Sequence, residues 1–201
     1  SGEDPDAPLE KLAQALGLRS EGLSRLAKKT YLTEPEPLPS WLKRLDMAAP
    51  VPGYEEMRVN AYYLDAGKDA VLFDTGTDPD LIERTIRESG ASFVTIFLTH
   101  THPDHIESLP VLLRERPGFK VFTPKGEPVS GANSLDVGTT ERCGPIEVRS
   151  FSTPGHSPAG TSYFFEFRGQ PVAIVGDALF AGSVGGIPPE SYESGLAAIR
   201  K

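Results

Sequence analysis

Short runs of β-branched and aromatic residues constrain the fold of this chain most strongly from residue 59 onwards. Residues 59–64 and 70–73 have the length and composition of two strands, and the turn between them predicts a hairpin. A helix with Pro near its start is predicted over residues 79–89, and residues 93–98 form another apolar run of strand length. The order strand, helix, strand predicts a βαβ unit with a right-handed crossover. This part of the chain therefore predicts an α/β domain.

The same alternation continues towards the end of the sequence. Residues 124–145 are rich in Gly, Pro, Asn and Ser, which predicts turns there. The other predicted elements are a helix over 105–115, strands at 120–122, 146–151, 162–167 and 171–175, and a helix from residue 192 onwards.

Residues 1–50 are predicted to be an N-terminal helical extension with a Pro-rich linker, ahead of a main domain over residues 51–201. Apolar residues at helical spacing predict two short helices between residues 9 and 30. Three prolines within residues 33–40 indicate an extended linker, and residues 41–45 are predicted as a short helix or turn. The two helices resemble a helix-turn-helix. An amphipathic hairpin packed on the main domain is favoured, because a third helix is missing and the chain is acidic.

Composition narrows the classes of function. The formal net charge is −8, which disfavours a protein that binds the phosphate backbone of nucleic acids. The single Cys excludes an intramolecular disulfide and a zinc site built from several thiolates. The sequence has neither a run of about 18 apolar residues nor a signal-peptide pattern. We therefore expect a cytoplasmic protein with no membrane partner.

Three of the four His residues follow the predicted strand at residues 93–98, in the stretch THTHPDH at residues 99–105. His156, in a turn-prone loop, and Asp177 also follow predicted strands. Binding sites collect at the carboxyl ends of strands in open α/β sheets, and His and Asp are suitable ligands for a divalent cation such as zinc. The His-x-His pattern places two imidazoles on one side of an extended segment, and the Asp-His pair then turns towards a neighbouring point. The pattern predicts two metal ions close together.

These residues resemble the metallo-β-lactamase superfamily, and in particular its glyoxalase II-like branch. The resemblance covers the chain from about residue 59 onwards and implies an α/β fold, an αβ/βα sandwich. The metal-ligand pattern is its most specific part. The stretches NAYYL, LFDTG, TPGHS and GDALFAGS, which begin at Asn60, Leu72, Thr153 and Gly176, also read like that branch and occur in the right order.

The resemblance implies the metal ligands and the cofactors. The implied ligands are His100, His102 and His156 for one metal, Asp104 and His105 for a second, and Asp177 as a bridge between them. Two divalent metal ions are expected, Zn²⁺ first, with Mn²⁺ or Fe²⁺ as alternatives. Asp104 is also the expected catalytic residue, because its carboxylate would accept a hydrogen bond from the metal-activated water and orient it.

Two further side chains have less specific patterns. Asp74 ends a predicted strand and precedes Thr-Gly, so it either stabilises a turn or holds a metal-ligand loop from behind. Cys143 lies in a stretch flanked by Gly and Pro, and no catalytic role is expected for it.

The sequence departs from the resemblance in two places. Members of the family usually supply another metal-binding His beyond the last helix, and no His follows His156 here. Either the second metal site is weak or the sandwich lacks its C-terminal strand and helix. The second explanation is favoured, because residues 192–201 end in the middle of a helical pattern. The stretch GSVGG at residues 182–186 has no basic residue where the branch commonly has Arg, which disfavours an anionic glutathione conjugate as the substrate.

The expected function is a metal-dependent hydrolase in which a metal-activated water attacks a small-molecule thioester, ester or lactone. One alternative is a mononuclear iron enzyme of the persulfide dioxygenase kind, with the metal on His100, His156 and Asp177. The other alternative is a non-catalytic metal-binding or regulatory module. The metal content of the protein distinguishes the three.

Overall fold

The structure is a computed structural model that describes residues 11, 14, 20–27 and 37–199. The chain divides into two compact units, one of residues 1–37 and 180–183 and one of residues 38–179 and 184–201. In the smaller unit, helix α1 (Ser20–Ala27) confirms the second of the two predicted N-terminal helices. Of the first predicted helix only Lys11 and Gln14 are described, and both are helical. Residues 33–36 of the predicted linker lie outside the described residues.

The larger unit is built from strands with a few short helices. Its helices are α2 (Pro79–Ser89), α3 (Pro103–Ile106), α4 (Leu109–Glu115) and α5 (Tyr192–Ile199). The strands of its two sheets are β1 (Leu42–Ala48), β2 (Arg58–Ala66), β3 (Asp69–Phe73), β4 (Phe93–Phe97), β5 (Lys120–Pro124), β6 (Asn133–Leu135), β7 (Thr140–Cys143), β8 (Ile146–Ser152), β9 (Thr161–Phe167) and β10 (Gln170–Ile174). Two further strands, β11 (Leu179–Phe180) and β12 (Ser183–Val184), form a two-stranded sheet.

The first sheet has six strands in the order β1-β2-β3-β4-β5-β6. β1, β2 and β3 pair antiparallel, which confirms the predicted hairpin of β2 and β3. β3 and β4 pair parallel across α2, as predicted for the βαβ unit, and β5 and β6 continue the parallel part. The second sheet is antiparallel, in the order β10-β9-β8-β7. Parallel strands bring their carboxyl ends to one edge, and that edge carries the candidate site.

Helix α2 begins and ends as its sequence predicts. The Asp78 carboxylate accepts a hydrogen bond from the Leu81 N–H (2.9 Å), and Pro79 takes the first helical position, where an N–H is not needed. Gly90 ends the helix with a φ of 72°, which glycine adopts without a steric penalty. The buried face of α2, with Ile82 and Ile86, packs on the six-stranded sheet.

Two apolar clusters form on opposite faces of the six-stranded sheet, because successive side chains of a strand point to opposite faces. In β3, Ala70 and Leu72 join the cluster under α2 and α4, whereas Val71 and Phe73 join the cluster that includes residues of the second sheet. The second cluster is rich in aromatic rings, and Phe73 stacks on Phe165 with ring centroids 5.4 Å apart. These layers place helices on one face of the first sheet and the second sheet on the other.

Three predictions about local structure are wrong or incomplete. Residues 42–45 lie in a strand rather than in a helix or turn, because β1 (Leu42–Ala48) pairs with β2. The first sheet therefore starts ahead of the predicted boundary at residue 50. The Gly- and Pro-rich stretch over residues 124–145 contains β6 and β7 besides its turns. The predicted helix over residues 105–115 is two short helices, α3 and α4. The division of the chain at residue 50 stays a prediction.

No helix among the described residues combines the length and apolar character needed to cross a membrane.

Candidate metal centre

Loops that leave three strand ends bring the predicted site residues together in the larger unit. The loop after β4 carries His100, the turn between β8 and β9 carries His156, and the short 3₁₀ segment after β10 carries Asp177. The Thr161 N–H at the start of β9 donates a hydrogen bond to the carbonyl oxygen of Thr99 (2.9 Å). This bond joins the first two loops directly.

Three imidazoles converge on one point. Nδ1 of His102 lies 3.1 Å from Nε2 of His100 and 2.9 Å from Nε2 of His156. One ligand atom from each of the three residues lies within 4.8 Å of the others. Nitrogen atoms bound to one tetrahedral zinc ion at about 2.0–2.1 Å are about 3.3 Å apart. The donor set and its spacing therefore fit a divalent metal ion.

A second group of ligand atoms is formed by His100, His105 and Asp177, also within 4.8 Å of one another. The two oxygens of Asp177 face different imidazoles. Oδ1 is 3.3 Å from Nε2 of His105, and Oδ2 is 3.5 Å from Nε2 of His156. A carboxylate with one oxygen towards each group has the arrangement that a bridging ligand needs.

Asp104 lies beside the second group. Its Oδ2 is 3.7 Å from Nε2 of His105, and its side chain is 27% exposed. Among the described residues, Asp104 is not part of either converging group. The other five predicted ligands are, so Asp104 is the most weakly placed of the six.

Asp74 supports the centre by hydrogen bonds to His105 and Thr99, on the side of the His105 ring that faces away from the other ligands. It is buried and has a φ of 58°, in the left-handed region that Asp tolerates better than most residues. The Nδ1–H of His105 donates a hydrogen bond to Oδ2 of Asp74 (2.8 Å). Oδ2 also accepts from the Thr99 hydroxyl (2.8 Å), and Oδ1 accepts from the Thr99 N–H (2.7 Å). The strand end that carries Asp74 is thus tied to the loop that carries His100.

In three of the four imidazoles, Nδ1 is hydrogen-bonded to an oxygen atom, so that Nε2 faces the centre. His105 is held in this way by Asp74. His100 donates from Nδ1 to the Thr99 hydroxyl (3.0 Å), because that hydroxyl already donates to Asp74. His156 donates from Nδ1 to the carbonyl oxygen of Gly186 (3.0 Å). Such partners fix the tautomer and the orientation of a metal-binding His. Sequence reasoning missed both Thr99 and Gly186 as partners.

The backbone of residues 185–186 runs very close to the centre. A Cβ atom on Gly185 would lie 1.9 Å from the carbonyl oxygen of Asp177 and 3.2 Å from Cβ of His156. Glycine is therefore required at this position by close approach rather than by φ. The adjacent glycines were visible in the sequence, but the pattern alone did not say what they approach.

One buried atom is evidence for a metal ion that does not depend on the distances between the ligand atoms. Nε2 of His105 is buried and has no hydrogen-bond partner among the described residues. A buried nitrogen without a hydrogen bond is costly, because it has lost its hydrogen bonds to water without full replacement. A cation bound at Nε2 removes that cost.

The charges around the rings set the protonation of the metal-free centre. Burial, and then the neighbouring charge of His105, lowers the pKa of His100 to about 4. Burial lowers the pKa of His105 as well, but Asp74 and Asp177 outweigh it and raise that pKa to about 10. Burial raises the pKa of the Asp177 carboxyl, whereas the adjacent His105 and its charge lower that pKa by more. His100 is therefore a free electron-pair donor near neutral pH, and a metal ion at His105 displaces a proton.

The fold and this centre define the class of protein. The family model described as "Metallo-beta-lactamase superfamily" matches residues 54–201, and the chain belongs to that superfamily. The predicted fold and family are thereby confirmed.

The chain is similar to curated proteins and to solved structures of the superfamily. It is 30% identical to the "Probable metallo-hydrolase YqgX" of Bacillus subtilis (strain 168), over 64% of this chain and 70% of that protein. It is 31% identical to a hydroxyacylglutathione hydrolase of Salmonella paratyphi A, over 72% of this chain and 57% of that enzyme. The crystal structure of the BLEG-1 B3 metallo-beta-lactamase superposes with a TM-score of 0.63 and 25% identity, over 80% of this chain and 84% of that one.

Proposed function

We propose that this protein is a metal-dependent hydrolase that cleaves a small thioester, ester or lactone. The observation that carries the proposal is the convergence of four imidazoles and the Asp177 carboxylate on two adjoining points, with Nε2 of His105 buried and without a hydrogen bond among the described residues. Membership of the superfamily and the metallo-hydrolase names of its relatives support the same reading.

Two divalent ions, zinc by preference, are the proposed cofactors. His100, His102 and His156 would hold one, His105 and Asp104 the other, and Asp177 would contact both. When bound, such ions lower the pKa of water, polarise a carbonyl oxygen and stabilise the negative charge that develops on it. The partners behind the rings keep three imidazoles in the orientation that this requires.

Asp104 is the proposed catalytic carboxylate. Its side chain is partly exposed and lies 3.7 Å from Nε2 of His105, so a water molecule at the centre is within its reach. The carboxylate would accept a hydrogen bond from that water, orient its lone pair towards the substrate carbonyl and take up its proton at Oδ2. It would return that proton to the sulfur or oxygen leaving atom when the C–S or C–O bond of the substrate breaks. A side-chain nucleophile is then not needed.

The choice of an acyl substrate is supported by similarity to a hydroxyacylglutathione hydrolase, since an acylglutathione is a thioester. Residues 182–186 lack a basic side chain, which favours a thioester without the glutathione carboxylates, or an uncharged ester or lactone.

The metal content of the purified protein tests the proposal first, measured by elemental mass spectrometry without added metal. About two zinc or manganese ions per chain support the hydrolase. One iron ion per chain would favour the oxygenase alternative, and a protein that stays metal-free after metal is supplied would overturn both enzymes.

Hydrolysis of an acylglutathione, a nitrophenyl ester and a lactone by the metal-loaded protein is the second test. His156→Ala is expected to abolish hydrolysis and to lower the metal content. Asp46→Asn is the matched control, because Asp46 pairs with Arg58 in an exposed ion pair outside the centre. Equal activity of His156→Ala and the unmodified protein would contradict the proposal.

A further inference from the structure

Glu127 lies in the turn that follows β5, and two hydrogen bonds connect this turn to the end of the strand. Its N–H donates to the carbonyl oxygen of Pro124 (2.8 Å), and its own carbonyl oxygen accepts from the Thr123 hydroxyl (2.6 Å). β5 is the parallel neighbour of β4. The Glu127 turn and the His100 loop therefore leave the sheet at the same edge.

The Glu127 carboxylate makes hydrogen bonds to two separate loops. Oε2 accepts from the N–H (2.8 Å) and the hydroxyl (2.9 Å) of Thr101, which lies between His100 and His102. Oε1 accepts from the N–H of Ala159 (3.0 Å) and from the hydroxyl of Ser157, the residue after His156. An ionised carboxylate offers acceptor sites for all four donors, and bonds to a charged acceptor are the stronger kind.

The two loops that Glu127 joins are the two that form the three-imidazole group. His102 comes from one loop and His156 from the other, and their facing nitrogens are 2.9 Å apart. A metal site loses affinity when its ligands move by fractions of an ångström. The bond between Thr161 and Thr99 joins the bases of the loops. Glu127, in contrast, bonds to residues that are adjacent in sequence to the metal ligands, Thr101 and Ser157.

Gly126 allows this close approach. A Cβ atom on Gly126 would lie 2.6 Å from Cβ of Ala159. The turn after β5 thus sits against the His156 loop with no room for a side chain, which keeps the neighbouring carboxylate within hydrogen-bond distance of both loops.

We infer that Glu127 is a positioning residue for the metal centre, and that its carboxylate sets the distance between the His100–His102 loop and the His156 loop. The inference rests on the proposed function, because it concerns the same centre. The probe is the zinc ion alone, and its dissociation constant is measured by competition with a chromophoric chelator in the full chain.

Glu127→Gln is the principal variant. The amide keeps the size of the side chain but has one acceptor oxygen, so its NH₂ group faces one of the two backbone N–H donors. We expect zinc to bind about 10- to 100-fold more weakly, the usual effect of losing a partner of a metal-binding group. We also expect the visible absorption of the cobalt-substituted protein to change, because the imidazoles are no longer held at one distance.

Two further variants test whether a loss of zinc affinity comes from the position of the loops, rather than from the charge of Glu127 or from a loss of folding stability. Ser157→Ala keeps the Glu127 charge and removes one of the four bonds, and it is expected to weaken zinc binding in the same direction by a smaller factor. Glu141→Gln is the matched control, since Glu141 bonds to Lys120 (3.0 Å) on β5 and, among the described residues, forms no hydrogen bond to either loop. The control is expected to keep the dissociation constant and the cobalt spectrum of the unmodified protein.

The outcomes distinguish this inference from the proposed function. If the unmodified protein binds zinc and Glu127→Gln binds it equally well with an unchanged cobalt spectrum, Glu127 is not a positioning residue and the metal centre stands. If Glu127→Gln lowers the melting temperature of the metal-free protein but not its zinc affinity, its role is structural only and the inference is overturned. If the unmodified protein does not bind zinc, the proposed function fails and the inference fails with it.

Discussion

Oδ2 of Asp74 lies 2.8 Å from Nδ1 of His105, and both side chains are buried. This pair fixes which nitrogen of His105 carries the hydrogen, so that Nε2 faces the centre. Because Asp74 sits at the end of β3 and His105 in α3, the pair also ties a strand end to the first turn of a helix.

Asp74→Asn is expected to weaken zinc binding by about 10- to 100-fold. Asn tolerates the left-handed φ of 58° at this position, so the backbone is retained, while the amide is a poorer acceptor for His105 than the carboxylate. Zinc titration against a chromophoric chelator measures the change. Asp46→Asn, in the exposed pair with Arg58, is the control, and equal affinities of the two variants would show that the Asp74 carboxylate does not support the centre.

Gly185→Ala is expected to lower zinc affinity at least about tenfold, because its Cβ would lie 1.9 Å from the carbonyl oxygen of Asp177. Asp177 and His156 must then shift. Gly186→Ala is the matched control, since nothing lies within 4 Å of a Cβ there and the Gly186 carbonyl oxygen that accepts from His156 is retained. Isothermal titration with zinc compares the two, and a larger loss in Gly186→Ala would refute the explanation by close approach.

Gly76→Ala is expected to destabilise the metal-free protein by about 1–3 kcal/mol. Gly76 has a φ of 55°, and its Cβ would lie 2.3 Å from Sδ of Met47. That sulfur accepts hydrogen bonds from the N–H groups of Thr77 and Asp78, each at 3.3 Å. Urea unfolding measures the loss.

Gly67→Ala is the control for the backbone part of that loss, because Gly67 also has a positive φ but its Cβ would meet nothing within 4 Å. The extra destabilisation of Gly76→Ala over Gly67→Ala reports the contact with Met47. If the two variants unfold at the same urea concentration, the packing of Met47 against this turn contributes nothing.

The Cys143 thiol is expected to label slowly in the folded protein and rapidly in urea. The side chain is buried, and burial raises its pKa above the usual value. A raised pKa lowers the thiolate fraction at pH 7–8, so the native rate stays low there and increases only at higher pH, whereas the unfolded thiol follows its ordinary pKa of about 8.5. Labelling with a chromogenic disulfide across pH 7–9 follows both. Rapid native labelling at pH 7 would mean that β7 opens readily. The chain has one Cys, so the signal has a single source.

The residues of the candidate site can be selected from the sequence because their signal is local. His100, His102 and His105 lie within one short stretch after a strand, and strand ends of parallel neighbours meet at one edge. The assignment of these residues as metal ligands stays a prediction, whereas the fold is confirmed by the superfamily match and by the solved structures.

The failures come from contacts between distant parts of the chain. Leu42 and Leu45 have a spacing that also suits a helix, and pairing of β1 with β2 decides that they lie in a strand. Glu127 bonds to Thr101 and to Ala159, which are 26 and 32 residues away. A pattern read along the sequence contains no signal for such a partner.

The candidate centre takes His100 from a loop of the first sheet and His156 from a turn of the second. An ion held by both would act as a cross-link between two separately hydrogen-bonded layers, in the way that a disulfide joins two segments. Ligands that bind only the folded state stabilise it, so an ion at the centre would add to the hydrogen bonds of Thr161 and Glu127 that already join the two layers at this edge. Removal of the ion by a chelator would then weaken the attachment of one layer to the other without breaking a hydrogen bond within either sheet.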